Sequence, residues 1–203
     1  MVNAAPALLL LSGTPASGKD TVTRAILRRS DRFIWLRRYR TGTAAPKPPY
    51  HQVDEATFEW MAEFGQFLQH HDRYGRRYGI TARDVIAAMV GGLVPILHIG
   101  RPGHLAPLLD FGGPGAMSVL LLSGRRETQT RLEGRSPGDP ADVRRRLAAY
   151  ETERAELARL LHTGKPLPYD VAIETGRRAA GETAEMILQA CGLPGRTPPA
   201  ARG

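Results

Sequence analysis

The stretch LLLLSGTPASGKDT, residues 8–21, places a glycine-rich motif between an apolar run and a predicted helix. It matches G-x-x-x-x-G-K-[ST] at every position except the last, where Asp20 stands, with Thr21 one place later. The backbone N–H groups of such a loop can surround a phosphate, and the helix that begins at Lys19 adds its positive dipole end. The stretch therefore predicts a phosphate-binding loop, whose binding residues are Gly13, Thr14, Pro15, Ala16, Ser17, Gly18, Lys19, Asp20 and Thr21.

The aspartate in this loop has two interpretations. Magnesium prefers oxygen ligands, and a carboxylate directly after the loop lysine lies beside the position of a phosphate-bound magnesium ion. On this interpretation Asp20 holds Mg²⁺, with the Thr21 hydroxyl as its neighbour. An aspartate in the first turn of a helix also interacts favourably with the helix dipole, so a role in starting the helix stays open.

Apolar runs alternate with helical periodicity along most of the chain. The predicted strands are 7–12, 33–36, 94–99, 118–123 and 170–174. The predicted helices are 19–29, 56–68, 82–90, 127–132, 141–161 and 181–190, and segments 42–49 and 73–79 are interpreted as a loop and a turn. This alternation predicts an α/β fold with a mostly parallel sheet. Ligands in such sheets bind at the carboxyl ends of the strands, where the glycine-rich loop and the segment after Ile99 both fall.

Composition narrows the class of protein. A chain of 203 residues with 42% hydrophobic content is expected to form one domain, and no apolar run approaches the ~20 residues of a membrane helix. Residues 1–13 lack the charged region and the cleavage site of a secretion signal. The single cysteine, Cys191, suits a reducing compartment. We therefore expect a cytoplasmic protein without a membrane partner.

The net charge of +8 indicates either nucleic acid or small polyanions as partners. The arginines are scattered, and the chain shows no aromatic stacking cluster or recognised nucleic-acid module. We therefore expect a small phosphorylated substrate, no nucleic acid, and a monomer or homodimer. His70, His71 and Asp72 could suggest a metal site, but adjacent histidines point in different directions and no second cluster follows them.

Three further segments resemble the guanylate kinase family. They are YHQVDEATFEWMAEFGQFLQ (50–69), RRYGIT (76–81) and TRLEGRSPGDPADVRRRLAAYETERAEL (130–157). The family's pattern runs phosphate loop, T-R, Y-x-F, G-E-F-x-E, Y-Y-G-[ST], R-L-x-x-R and a later R-L, and the similarity spans about 8–190. The resemblance implies a P-loop NTPase-type three-layer α/β fold. It also implies an inserted acceptor-binding lobe at about 37–92, a short arginine-rich lid at about 125–146, and a flexible tail at 192–203.

The resemblance also implies roles for single residues. Lys19 would bind the phosphates of ATP, with Mg²⁺ as the second cofactor. Arg40, Tyr50 and Tyr78 would bind the acceptor's phosphate. The lid arginines that would close over the transferring phosphoryl group are Arg131, Arg135 and Arg146, whereas Arg144 and Arg145 are expected on a solvated helix face. This set suits the chemistry, because phosphoryl transfer depends on positioning and positive charge more than on covalent help.

The departures from the family pattern concern recognition of the acceptor. The guanine-reading glutamate falls at Gln69, the serine or threonine of Y-G-[ST] at Ile80, and the acidic residues of the central strand at His98 and Gly100. The second arginine of the T-R segment is missing, with Lys47 as a substitute, and the donor-base asparagine is absent near Thr175. Weakened readout of the guanine edge predicts that GMP is not the acceptor. The predicted substrate-binding residues are Arg40, Tyr50, Gln69, Tyr78, His98 and Arg101.

A subgroup of the family, the ribose 1,5-bisphosphate kinases, is similar in carrying G-K-D at 18–20 and His104-Leu105 after Gly100. We therefore predict an ATP- and Mg²⁺-dependent kinase. Its acceptor would be a sugar phosphate, such as ribose 1,5-bisphosphate, or a nucleotide-like monophosphate. The absence of an evident general base fits an acceptor that is already an anionic phosphate. A divergent guanylate kinase and a non-catalytic binding module are the alternatives, although the intact Gly13, Gly18 and Lys19 argue against the second.

Overall fold

The computed structural model describes residues 5–42, 50–164 and 167–193. Its strands are β1 (Leu8–Gly13), β2 (Phe33–Trp35), β3 (Arg38–Thr41), β4 (Tyr50–Val53), β5 (Phe67–Arg73), β6 (Arg76–Thr81), β7 (Val94–Ile99), β8 (Ala116–Leu122) and β9 (Val171–Glu174). Its helices are α1 (Lys19–Leu27), α2 (Glu55–Glu63), α3 (Ala82–Val90), α4 (Ala106–Gly112), α5 (Arg125–Arg135), α6 (Pro140–His162) and α7 (Ala180–Ala190). Lys47 and most of the predicted tail, from 194 on, lie outside the described residues.

The five predicted strands form one parallel sheet in the order β2-β7-β1-β8-β9. The central strand β1 is buried along its whole length, and all six residues of β7 are buried as well. Strands that are apolar on both faces are typical of parallel sheets covered by helices on each side. The α/β fold with a mostly parallel sheet is therefore confirmed.

Alternate residues of β1 enter two cores. Leu9 and Leu11 pack with residues of α1 and α7 on one face. Leu8 and Leu10 pack on the other face with residues that include Val85 of α3 and Leu108 of α4. The strand thus lies between a layer with α1 and α7 and a layer that includes α3 and α4, and its carboxyl end lies between these two layers.

Four strands that the sequence did not predict form a second sheet, in the order β4-β3-β6-β5. β3 and β4 are parallel, whereas β6 is antiparallel to both β3 and β5. The predicted helix 56–68 is wrong at its end, because α2 stops at Glu63 and β5 begins at Phe67. The predicted turn 73–79 is also wrong, because most of it belongs to the β5–β6 hairpin.

Packing explains why these residues form strands despite their polar character. Phe67 of β5 lies against Phe58 of α2, with ring centroids 4.6 Å apart. On β6, a Cβ at Gly79 would overlap the Phe67 ring, so glycine permits the two strands to pair closely here. The polar sequence of β5 gives no periodic apolar signal, and its strand depends on this tertiary contact.

The remaining differences are one helix that was not predicted and two helices that are longer than predicted. The sequence did not predict α4, and α5 and α6 extend beyond the predicted ranges 127–132 and 141–161. Asp139 caps α6 by accepting a hydrogen bond from the backbone N–H of Asp142 (2.9 Å). Among the described residues, no helix has the length and apolar character needed to span a membrane.

Candidate active site

The predicted phosphate-binding loop joins the carboxyl end of β1 to the first residue of α1. Its backbone enters the left-handed region at three residues, which are Gly13 (φ 152°), Ala16 (φ 56°) and Gly18 (φ 96°). A residue with a Cβ pays roughly 1–2 kcal/mol for this conformation, so Ala16 needs support from its surroundings.

That support comes from Arg131 of α5 and from Thr175. Arg131 Nη1 donates to the Ala16 carbonyl (3.1 Å), and its Nη2 donates to the Thr175 carbonyl (2.8 Å). Thr175 Oγ1 in turn donates to the Ser17 carbonyl (2.9 Å). Arg131, predicted as a lid arginine, therefore lies against the outside of the loop and fixes its shape.

Lys19 is directed back into the loop. Its Nζ donates to the carbonyls of Thr14 (2.9 Å) and Gly13 and to Ser17 Oγ (3.4 Å). Burial lowers the pKa of Lys19, and the positive charge of Arg73 lowers it further. Glu153 and Asp20 act in the opposite direction, and a phosphate in the loop would add further negative charge beside this ammonium.

Asp20 contacts a buried histidine of the central sheet. His98 Nδ1 lies 3.4 Å from Asp20 Oδ1, and His98 Nε2 lies 2.7 Å from Thr23 Oγ1. Burial lowers the pKa of His98 to about 4, so the ring is neutral near pH 7. Burial alone would raise the pKa of Asp20, but the His98 hydrogen bond and the positive charges of Arg135 and Lys19 outweigh it and hold that pKa below its ordinary value.

Of the other predicted lid and metal residues, one lies beside this carboxylate. Arg135 Nη2 lies 3.8 Å from Asp20 Oδ2, so this lid arginine faces the loop. Arg146 donates to Asp142 (2.7 Å) and stacks on the Tyr74 ring at 4.7 Å. Thr21 is exposed on α1. The hydroxyl that contacts His98 is that of Thr23.

The three residues predicted to bind the acceptor's phosphate lie together on the second sheet. The rings of Tyr50 and Tyr78 are 5.8 Å apart, and the Arg40 guanidinium lies 4.4 Å above the Tyr50 ring. Arg38, which the sequence analysis missed, lies 5.4 Å above the Tyr78 ring and donates to Tyr50 Oη (3.4 Å). Two arginines and two phenols thus form one cluster that suits a phosphate.

Beyond this cluster lie the positions where the family reads guanine. Gln69 Nε2 donates to the His104 carbonyl (3.4 Å), and His71 stacks between Tyr78 (5.7 Å) and His104 (4.7 Å). Burial and the charge of Arg38 lower the pKa of His71 to about 3, so it is neutral. Arg101 is directed instead toward Glu156 of α6, with which it forms an ion pair at an exposed position.

The guanidinium of Arg73 occupies the space above Gly100. A Cβ at residue 100 would overlap Arg73 Nη1, so the arginine keeps this position beside glycine and would have to shift beside any larger residue. Arg73 also forms a buried ion pair with Glu153 of α6. A cation therefore stands where the family pattern has a carboxylate.

Glu153 is the most buried carboxylate of this region, with 3% exposure. Burial raises its pKa to about 7, against the opposing charges of Arg73 and Lys19. Its Oε2 atom accepts no hydrogen bond from any residue in the described part of the chain. This group lies within electrostatic reach of the loop lysine and belongs to the candidate site.

Two sequence signals could have identified the missed residues. Arg38 and Arg40 are two apart on β3, so a strand prediction for RYRT would have placed both on one face. In α6 the buried residues include Tyr150, Glu153 and Leu157, which follow helical spacing. A charged residue within that buried stripe indicates a function other than solvation.

Comparison with known proteins gives the family. No family model matches the chain. The guanylate kinase of Thiobacillus denitrificans is 33% identical over 155 residues, which are 72% of each chain. The guanylate kinase of Thermobifida fusca is 32% identical over 157 residues, which are 74% of this chain and 77% of that protein. This chain belongs to the guanylate kinase family.

The fold agrees with this membership. The crystal structure of a guanylate kinase from Anaplasma phagocytophilum superposes with a TM-score of 0.66 at 18% identity, covering 93% of this chain and 86% of that one. As a member of the guanylate kinase family, the protein is a P-loop kinase.

Proposed function

We propose that the protein transfers the γ-phosphate of ATP to a small phosphorylated acceptor other than GMP, a sugar phosphate such as ribose 1,5-bisphosphate. The observation that carries this proposal is the guanidinium of Arg73 above Gly100. The guanine edge presents N–H donors, which a carboxylate accepts and a guanidinium repels. A second phosphate or a sugar oxygen, in contrast, accepts hydrogen bonds from a guanidinium.

The donor side follows from the loop. Lys19 and the loop N–H groups would hold the outer phosphates of ATP, with Arg135 closing from α5. Asp20 offers a carboxylate that is 39% exposed at its side chain, which fits Mg²⁺ held by one carboxylate together with phosphates and water. Bound Mg²⁺ would neutralise charge that develops on the phosphates during transfer.

The acceptor side follows from the tyrosine and arginine cluster. Arg38, Arg40, Tyr50 and Tyr78 would hold the acceptor's phosphate in line with the donor. Positioning of this kind is the main contribution of a kinase to phosphoryl transfer. The second sheet and the helices beside it, within about 37–92, would be the acceptor-binding lobe, and the α5–α6 connection would be part of the lid.

A second candidate is phosphorylation of GMP by a divergent guanylate kinase. The relatives that share about a third of the residues bear that name. Gln69 also offers an amide oxygen at the position of the guanine-reading glutamate, and an amide oxygen can accept one N–H bond. Arg73 is the feature that opposes this candidate.

Steady-state kinetics with ATP and Mg²⁺ can separate the two candidates. The acceptors to compare are GMP, ribose 1,5-bisphosphate and related sugar phosphates. For ribose 1,5-bisphosphate, Arg73→Gln should lower kcat/KM about tenfold or more, because a lost charge-assisted hydrogen bond costs ~1.5–3 kcal/mol. Glutamine removes the charge but keeps a polar side chain at this position.

Arg77→Gln is the matched control. Arg77 lies on the same hairpin but pairs with Glu59 on the outer side of the lobe, and its substitution should leave the kinetics unchanged. A wild-type kcat/KM for GMP within the usual enzyme range of ~10⁴–10⁸ M⁻¹s⁻¹, above that of every sugar phosphate, would make the protein a guanylate kinase instead.

A further inference from the structure

A chain of polar contacts, buried at His98 and Thr23, links the loop aspartate to the central sheet. Asp20 and Thr23 lie on α1, and His98 of β7 stands between them, 3.4 Å from Asp20 Oδ1 and 2.7 Å from Thr23 Oγ1. Thr23 is 0% and His98 5% exposed. Because both ring nitrogens are engaged, His98 cannot bind the acceptor directly in this arrangement, although it was predicted as a substrate-binding residue.

The direction of the hydrogen bonds follows from the chemistry of the three groups. An ionised carboxylate only accepts hydrogen bonds, so the His98 proton must lie on Nδ1. In a neutral ring Nε2 is then an acceptor, and the Thr23 hydroxyl donates to it. The Trp35 ring lies 4.9 Å from the imidazole, and Arg38 Nη1 donates to the His98 carbonyl (3.4 Å), so both ring and backbone are held.

Both ends of this chain depart from the family pattern. The pattern places a hydroxyl after the loop lysine and an acid on the central strand, whereas this chain has Asp20 and His98 at those positions. The carboxylate is therefore on α1, at Asp20, and His98 of β7 contacts it from the strand. Its second oxygen, Oδ2, lies 3.8 Å from Nη2 of Arg135, a predicted lid arginine.

We infer that His98 is a positioning residue, which holds Oδ1 of Asp20 so that Oδ2 faces the divalent cation of the bound nucleotide, and that Thr23 fixes the tautomer required for this. The inference rests on the proposed function only in taking Asp20 as the magnesium ligand. It does not depend on which acceptor the enzyme uses. Groups that orient a metal ligand typically change metal affinity by 10–100-fold when they are removed.

The test measures binding of ATP to the full-length protein by calorimetry, with and without Mg²⁺ and without an acceptor. Mg²⁺ should raise the ATP affinity of His98→Ala by about tenfold less than it raises the affinity of the wild type. Binding of metal-free ATP to this variant should stay within about twofold of the wild type. His98→Asn is the matched variant, because its side-chain amide can still donate to Asp20 and should retain most of the gain. Thr23→Val should reduce the gain, and Thr23→Ser should restore it.

A second measurement covers the case in which His98→Ala does not fold. In the wild-type protein, ¹⁵N NMR of the His98 ring should show a proton on Nδ1. A proton on Nε2 would overturn the inference, as would an unchanged Mg²⁺ effect in folded His98→Ala or in Asp20→Asn. These readouts are independent of phosphoryl transfer, so failure of the proposed acceptor would leave them intact.

Discussion

At the scale of single residues, the electrostatic surroundings of Lys19 indicate the kind of ligand that it binds. It is a buried cation whose near neighbours include two more cations, Arg73 and Arg38, and its pKa is lowered for that reason as well as by burial. A site that concentrates positive charge in this way suits the phosphates of a nucleotide. The loop could be predicted from the sequence because its motif is local: in the described part of the chain, the hydrogen bonds of the Lys19 ammonium all reach residues within six positions.

Lys19→Ala is expected to lower kcat by at least about 100-fold, since the charge that stabilises the transferring phosphoryl group is lost. Turnover of ATP with any accepted substrate is the measurement. Arg28→Ala is the control, because Arg28 lies exposed just after α1 and also removes one positive charge. Full phosphotransfer by Lys19→Ala would show that the site is assigned to the wrong lysine.

Arg73 could not be predicted in the same way. Its role depends on the approach of the β5–β6 hairpin to the end of β7, which brings it over Gly100 and against Glu153. No local pattern reports a contact between residues 73, 100 and 153. The departures at Gln69 and Gly100 indicated a changed acceptor, but only the fold shows that a cation takes the place of the acid.

At the scale of elements, the β5–β6 hairpin depends on one close approach. Gly79→Ala is expected to destabilise the protein by about 1–3 kcal/mol, because the new methyl group would overlap the Phe67 ring. Denaturant unfolding measures the change. Gly134→Ala in α5 is the matched control, since a Cβ there meets open space, and it should be neutral or stabilise by roughly 0.5–1 kcal/mol. Equal midpoints for Gly79→Ala and the wild type would contradict this packing.

The start of α6 gives a pH-dependent prediction. Burial alone would raise the pKa of Asp142, but hydrogen bonds from Arg146, Ser136 and Arg145 outweigh it and lower the pKa to about 2. A carboxyl group whose folded pKa is depressed stabilises the fold above its unfolded pKa of ~3.9, and this contribution is lost as pH falls through about 2.

Asp142→Asn should therefore cost about 1–2 kcal/mol of stability near pH 7, and the cost should shrink between pH 4 and pH 2. Urea unfolding at several pH values measures it. Asp110→Asn, at an exposed position of α4, controls for the loss of one negative charge. A cost for Asp142→Asn that does not change across this pH range would mean that the charge of Asp142 contributes nothing to the start of α6.

At the scale of the whole molecule, the parallel sheet could be predicted and the second sheet could not. Strands such as β1 and β7 are apolar on both faces, and such an apolar run can be recognised in the sequence without knowing which strand pairs with it. The strands of the second sheet carry arginine, histidine and tyrosine toward the candidate site, so the residues needed for binding obscure the periodicity of the strands. The least predictable part of the fold is thus the part expected to select the acceptor.

The central claim is that a phosphate-binding loop of ordinary shape serves an acceptor side that rejects guanine. Direct competition tests it in one reaction. The reaction contains Mg²⁺, equimolar GMP and ribose 1,5-bisphosphate, and a limiting amount of ATP, and it is monitored by ³¹P NMR. The account predicts that phosphate from ATP is transferred to the sugar bisphosphate while GMP remains. Formation of GDP as the main product would contradict it.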